Sequence, residues 1–293
     1  MPLYVLLSVV AAFINSFASI FQKLTAKYAF TSFYSYSFFY YLLLLPFGLL
    51  LFLIFGYTPM GEALRFIVPM IITFFIANTL LNYVIFLNDA SNINPLFPLK
   101  LIFVPFITFL MIGERFMPVT YLLMVVIVCG GMLVAIDESF SVRAFFKKGT
   151  MLLLLSLAVF TVSDVYVNQA SAIISPYQVL AWEFVLLAPT SLLFLAMKPR
   201  EIKAATPKSI MAMVGILTTL TIFFLLLFKA FSLNVTISNT LSMMSGPLVL
   251  LLVTGLGKLK PHLLEEHTKK VYIIRFIGSL IMYVAAIGIV ITL

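Results

Sequence analysis

Residues 32–55 read SFYSYSFFYYLLLLPFGLLLFLIF, twenty-four positions without one charged side chain. The hydrocarbon core of a bilayer takes about 20 apolar residues of helix, whereas a membrane-crossing strand needs about ten of alternating polarity. This run is therefore a membrane helix. Comparable apolar runs lie on either side, at residues 3–22, 65–87, 94–112, 118–136, 149–168, 176–197, 208–231, 235–256 and 271–292. Turn or charge signals separate them: Gly56-Tyr57-Thr58-Pro59, Gly113-Glu114-Arg115, Lys147-Lys148-Gly149, Lys198-Pro199-Arg200 and Lys258-Leu259-Lys260-Pro261. The expectation is an all-α membrane protein with ten transmembrane helices.

Composition agrees with this reading. Of 293 residues, 63% are hydrophobic and 10% charged, against about 25% charged in a soluble domain. Mean hydropathy is +1.18. So much apolar surface has no place in one water-soluble core, and disorder requires the opposite composition. The net charge of +8 is a topology signal rather than a nucleic-acid signal, because basic residues gather in cytoplasmic loops. The first run has no basic segment before it and is long, so it reads as a transmembrane helix rather than a secretory signal. The single cysteine, Cys129, excludes an intrachain disulfide and reads as a packing residue.

The halves echo one another. Pro46 and Pro189, each expected to end a Leu-rich second helix of its half, are 143 residues apart, as are Tyr34 and Tyr177. Pro105 and Pro247 repeat at 142, as do Asn92 and Asn234. A repeat of five helices is odd, so the second copy must insert upside down. The expected layout is 5+5: a first repeat over 1–143 and an inverted second over 144–293. Inverted repeats build many secondary transporters, whose binding site lies near the midplane where the repeats meet. Loops after odd-numbered helices and the adjoining helix ends carry fourteen Lys and Arg, the opposite side only Arg65, Arg115 and Lys229. That bias puts both termini outside the cytoplasm.

Polar groups inside the runs narrow the function. A charge at the bilayer centre costs about 2.5–3.5 kcal/mol on insertion scales, so it must face a cavity or a partner. Lys100 lies well inside the fourth run with Pro95, Pro98 and Pro105 around it. Either it binds an anionic group of a solute, or it locks two helices through a carboxylate. Asp164 shares a helical face with Thr161, Asn168 and Ser171, at spacings of three and four. Glu183 lies in the seventh run beside Trp182. Both acids are candidates for a proton-coupling group or for the partner of an amine. Ser8, Ala12, Asn15, Ser19 and Gln22 form a small, polar stripe on the first helix. Asn78 and Asn82 share a face of the third, Asn239, Ser242, Ser245 and Gly246 a face of the ninth. Asn15, Ser19, Asn78, Asn82, Lys100, Trp182, Asn239 and Ser242 are thus the candidate substrate-binding residues. Helix packing by small and hydrogen-bonding side chains is the alternative for the stripes. Tyr34, Tyr36, Tyr40 and Tyr41 suit either an interfacial belt or a pocket. Lys23, Lys27, Asp89 and Lys229, at run ends, read as topology anchors or gate residues.

The stretch from Phe86 to Lys100 (FLNDASNINPLFPLK), followed by Ile112-Gly113-Glu114-Arg115-Phe116 and a fifth run containing Gly130-Gly131, resembles the drug/metabolite transporter superfamily in its EamA-like form. The likeness runs through the whole chain in its 5+5 layout. Leu99-Lys100 is also similar to a Leu-Lys pair in the nucleotide-sugar and triose-phosphate branch, where the lysine helps bind a phosphate-bearing substrate. The chain departs from these patterns at several places. Phe39-Tyr40-Tyr41 and Trp182-Glu183-Phe184 stand where an arginine is common. Ser242 occupies the ninth-helix match of Lys100. Gly255-Leu256-Gly257-Lys258 replaces the second Gly-Glu-Arg signature. The resemblance also implies cytoplasmic termini, opposite to the loop count.

These features lead to a secondary-active transporter in the plasma membrane, working by alternating access on amino acids or similar zwitterionic or anionic solutes. Its partners would be the lipid bilayer, the small solute and a coupling proton. An antiporter of phosphorylated metabolites or nucleotide sugars, and a membrane scaffold without transport, are the other readings. There is no GxxxxGK[ST] stretch for ATP, no catalytic grouping that would make it an enzyme, and no expected cofactor. His262 and His267, flanking Glu265-Glu266, read as a solvated loop rather than a metal site. Asn234-Val235-Thr236 fits the glycosylation pattern but hugs a helix start.

Overall fold

The computed structural model describes residues 2–87, 93–115, 117–134, 146–243, 245–259 and 268–292. All regular structure among them is helical. Along the chain come α1 (Leu3–Tyr28), α2 (Phe33–Phe55), α3 (Leu64–Leu87), a 3-10 segment (Asn94–Leu99) running into α4 (Lys100–Ile112), α5 (Pro118–Val134) and α6 (Lys148–Ser171). Next are α7 (Pro176–Leu187), α8 (Ser191–Met197), α9 (Pro199–Lys203), α10 (Pro207–Leu233), α11 (Val235–Ser242), α12 (Ser245–Leu259) and α13 (Lys269–Thr292). Seven helical segments are long and apolar enough to cross a bilayer, which fits a multi-pass membrane protein. Leu96–Ile112 and Pro118–Val134 are apolar but shorter. The expected boundary between 143 and 144, together with Asp89, Asn92, Arg143, Lys260, His262 and His267, lies outside the described residues.

Local chemistry sets the helix ends. Ser32 caps α2 by accepting from the Ser35 amide, and Thr206 caps α10 by accepting from that of Ser209. Asn234 caps α11, its Oδ1 accepting from the Ile237 amide at 2.9 Å, so this residue is occupied as a helix start. Asn234→Ala is expected to cost about 1 kcal/mol, read as a lower thermal midpoint, because an orphan amide loses its partner. Gly113 ends α4 in the left-handed region at φ +72°, the conformation a glycine takes without steric cost. The neighbouring Glu114 accepts from Thr236 Oγ1 at 2.9 Å and so ties the end of α4 to the start of α11.

Two expectations are corrected here. Pro46 does not end its helix: α2 runs through it to Phe55. Proline is tolerated inside membrane helices because neighbouring groups and small local adjustments re-satisfy the freed carbonyl. Pro189 does interrupt, sitting in a 3-10 turn over Ala188–Thr190 between α7 and α8. Cys129 is exposed rather than packed. The buried face of α5 runs through Met124, Ile127, Gly130, Gly131 and Val134, which turns Cys129 outward.

Helix packing brings the two halves of the chain together. The most extensive contacts are α3 on α6, α5 on α13, α1 on α10 and α2 on α7. Two of these crossings depend on missing side chains. A methyl group built on Gly130 of α5 would lie 2.7 Å from the Gly278 carbonyl oxygen of α13. One built on Gly48 of α2 would lie 2.9 Å from the Ala181 carbonyl oxygen of α7. Between these contacts, residues of α1, α3, α4, α6, α10 and α11 surround a central cavity.

Candidate functional site

The cavity has a volume of about 110 Å³. An apolar cavity of roughly 150 Å³ holds a benzene molecule, so this one suits a solute of a few heavy atoms. Its walls are mostly apolar, with Phe74, Phe160, Phe223, Phe224, Phe228 and Phe231 among them. Polar groups from the first half of the chain are Asn15, Ser19, Gln22, Tyr40, Asn78 and Lys100. The second half adds Ser163, Asp164 and Ser242.

Lys100 is placed by the change from 3-10 to α-helix, which occurs at its own position. Its Nζ donates to Asp164 Oδ2 of α6, and both residues are buried, at 7% and 9% exposed. The ammonium also lies 5.9 Å from the centroid of Phe160, in cation–π range. Two of the ionisable residues placed inside apolar runs are thus each other's partner. Asn239 reaches the same acid from α11: its amide faces Asp164 but does not meet it in hydrogen-bonding geometry. Asn15 reaches across to Ser245 Oγ at 3.4 Å, and Ser16 Oγ donates to the Ser245 carbonyl at 3.3 Å, which fixes α1 against α12.

A second polar cluster stands behind the Tyr40 wall. Asn78 Nδ2 donates to the Tyr41 hydroxyl at 3.2 Å, and that hydroxyl shares a hydrogen bond with Thr79 Oγ1 at 2.9 Å. Glu183 of α7 lies within electrostatic reach of Tyr40, Tyr41 and Asp164. It is 0% exposed, and neither carboxyl oxygen has a hydrogen-bond partner.

The ten candidate residues therefore divide. Asn15, Ser19, Asn78, Lys100, Asp164 and Ser242 line one cavity. Asn239 stands beside Asp164, outside the lining, and Glu183 is set back from it. Asn82 is fully buried with both side-chain atoms unpartnered, away from the lining. Trp182 lies elsewhere: its indole N–H donates to the Thr58 carbonyl at 2.9 Å and its ring packs on Phe52 and Tyr57. Arg275, counted above with the loop cations, is 1% exposed on α13. Its place four residues into an apolar run was the available signal. The phenylalanine wall carried no sequence signal, because thirty phenylalanines are spread along the chain. Lys23, read as an anchor, donates to the Ile85 carbonyl at 3.0 Å and bridges α1 to α3. Among the described residues no group of three metal-ligating side chains comes together.

No family model matches the chain, and no curated protein matches it. A solved structure described only as "Crystal structure of protein" is similar in fold, with a TM-score of 0.64 and 14% identity. The alignment covers 97% of this chain and 97% of that one. At that identity the likeness concerns the fold alone.

Proposed function

We propose that the protein is a secondary-active transporter of small zwitterionic solutes such as amino acids, built as ten transmembrane helices in two inverted five-helix repeats. The observation that carries this reading is the buried Lys100–Asp164 pair facing a cavity lined from both halves of the chain. A zwitterion offers a carboxylate to the lysine and an amine to the aspartate, and the phenylalanine wall suits an apolar remainder. The packing supports the repeat. Counting apolar runs, the four main contacts are 3 on 6, 5 on 10, 1 on 8 and 2 on 7. Exchanging run n with run n+5 turns 3-on-6 into 8-on-1 and returns the other two unchanged. A two-fold axis relating the halves would produce that pattern.

Membership of the drug/metabolite transporter superfamily belongs to the same proposal, supported by the Gly113-Glu114-Arg115 and Gly130-Gly131 stretches. So does a plasma-membrane location with both termini outside the cytoplasm, which the loop cations favour. A phosphorylated or nucleotide-sugar substrate fits less well. Lys100 is the one basic side chain among the described lining residues, it is already paired, and the cavity volume is small.

The test uses single cysteines at Asn78 and Ser242 in a Cys129→Ser background, reconstituted in vesicles. A membrane-impermeant thiol reagent is expected to label both, and a mixture of common amino acids is expected to slow the labelling. Labelling unaffected by any solute argues against transport, and complete protection from the reagent argues for a packed scaffold.

A further inference from the structure

We propose that Glu183, and not Asp164, is the acid that carries the coupling proton, and that it holds that proton in the conformation described here. The inference rests on the transport reading for its role and on geometry for its assignment. Two buried carboxyl groups, Asp164 and Glu183, lie within electrostatic reach of each other. Asp164 has a cation, bonded directly to Lys100. Protonating Asp164 would strand Lys100 as an unpaired buried charge, which is strongly unfavourable. Glu183 has no such tie. It is 0% exposed and both its oxygens lack partners.

Among the described residues no cation faces Glu183 from α2, α3, α6 or α10. From α2 the groups facing Glu183 are the phenols Tyr40 and Tyr41, and from α6 the carboxylate of Asp164. On α3, Asn78 and Thr79 bond to Tyr41, and neither ionises. From α10 comes the ring of Phe224, set edge-on to Phe184. None of these stabilises an anion as a cation would, and one repels it. A carboxylate without a partner in an apolar interior is too costly to keep, so the group stays neutral. Tyr40 lines the cavity, so Glu183 stands one side chain behind its wall. Release then requires that wall to open. The Glu183 O–H bond breaks, its electron pair remains on the carboxylate, and the proton passes to a water entering from the cavity. Reloading is the reverse, from water on the other side of the membrane.

The experiment is infrared spectroscopy of the full chain in lipid nanodiscs at neutral pH. The parent is expected to show a buried carboxylic-acid C=O band that disappears in Glu183→Gln and persists in Asp164→Asn. Carbon-13 labelling of glutamate, and not of aspartate, is expected to shift it in the unmutated protein, so the assignment survives a misfolded variant. A parent without the band, or a band that Glu183→Gln and glutamate labelling leave unmoved, overturns the proposal. In proteoliposomes offered common amino acids, parent uptake should follow an imposed proton gradient, and Glu183→Gln uptake should be indifferent to it. Gradient-driven uptake in the variant overturns the coupling role. No uptake by the parent sinks the transport reading, while the infrared band decides separately on the protonated state.

Discussion

Lys100→Ala is expected to destabilise the protein by about 3–5 kcal/mol, because it leaves the Asp164 carboxylate buried without a countercharge. The remaining polar neighbours do not replace the lost cation. The Asn239 amide faces Asp164 without bonding to it, and Glu183 is a second acid. Asp164→Ala should cost a similar amount from the other side. The double substitution Lys100→Met with Asp164→Leu should recover most of the loss, since an apolar replacement for a buried pair is often neutral or better. Thermal unfolding in detergent measures all three. The same samples separate stability from function. A ligand at 100 times its dissociation constant adds about 2.7 kcal/mol to the parent. The double variant, though folded, should gain nothing from a panel of common amino acids. A Lys100→Ala protein as stable as the parent would mean that the pair contributes no net stability, and a double variant that still responds to the panel would remove the pair from the binding site.

Gly130→Val is expected to be strongly destabilising. A side chain there meets the Gly278 carbonyl oxygen, and one on Gly278 meets that of Gly130 at 2.6 Å, so the obstruction is backbone on both faces. Side chains have rotamers into which to retreat, and carbonyls held in a helix do not. Overpacking of ordinary cores costs about 1–3 kcal/mol, and this site should reach or exceed the upper end because α5 and α13 must move apart as whole helices. Gly215 provides the contrast: nothing lies within 4 Å of the methyl group it lacks. Gly215→Ala should therefore be neutral or stabilising by up to about 1 kcal/mol, through helix propensity alone. Size-exclusion profiles and thermal midpoints of the two variants decide the matter. A monodisperse, parent-like Gly130→Val protein would show that the crossing of α5 and α13 is looser than described.

Much of the helical layout was legible in the apolar runs, because a bilayer imposes length and hydropathy on every crossing. Their ends were less so. Residues 23–28 extend α1 beyond the apolar run, since helix hydrogen bonding does not stop where hydropathy does. Lys100 and Asp164 stood out as ionisable residues in apolar surroundings, yet their pairing depends on the register between the start of α4 and the middle of α6. No local pattern encodes that register. Trp182, the one tryptophan, drew attention by rarity alone. Its indole N–H needed an acceptor, and the Thr58 carbonyl supplies one away from the cavity. The 3-10 segment ahead of Lys100 and the start of α11 were announced in part by Pro98 and Asn234. That the segments beside them would supply Lys100 and Ser242 to the same cavity was not.

The bond between Lys100 and Asp164 also gives the proposed site an internal competitor. Any entering ion must first displace a partner that is tethered, always present and already aligned. A lone anion would free Asp164 into an apolar wall, and a lone cation would free Lys100. Only a solute carrying both charges, spaced to insert between the two, takes up each group it releases. In the proposed transporter, selectivity would arise from what the pocket is left with after binding the wrong solute, and the same exchange would keep affinity modest. Modest affinity is what the proposed carrier role requires, since a carrier has to let go.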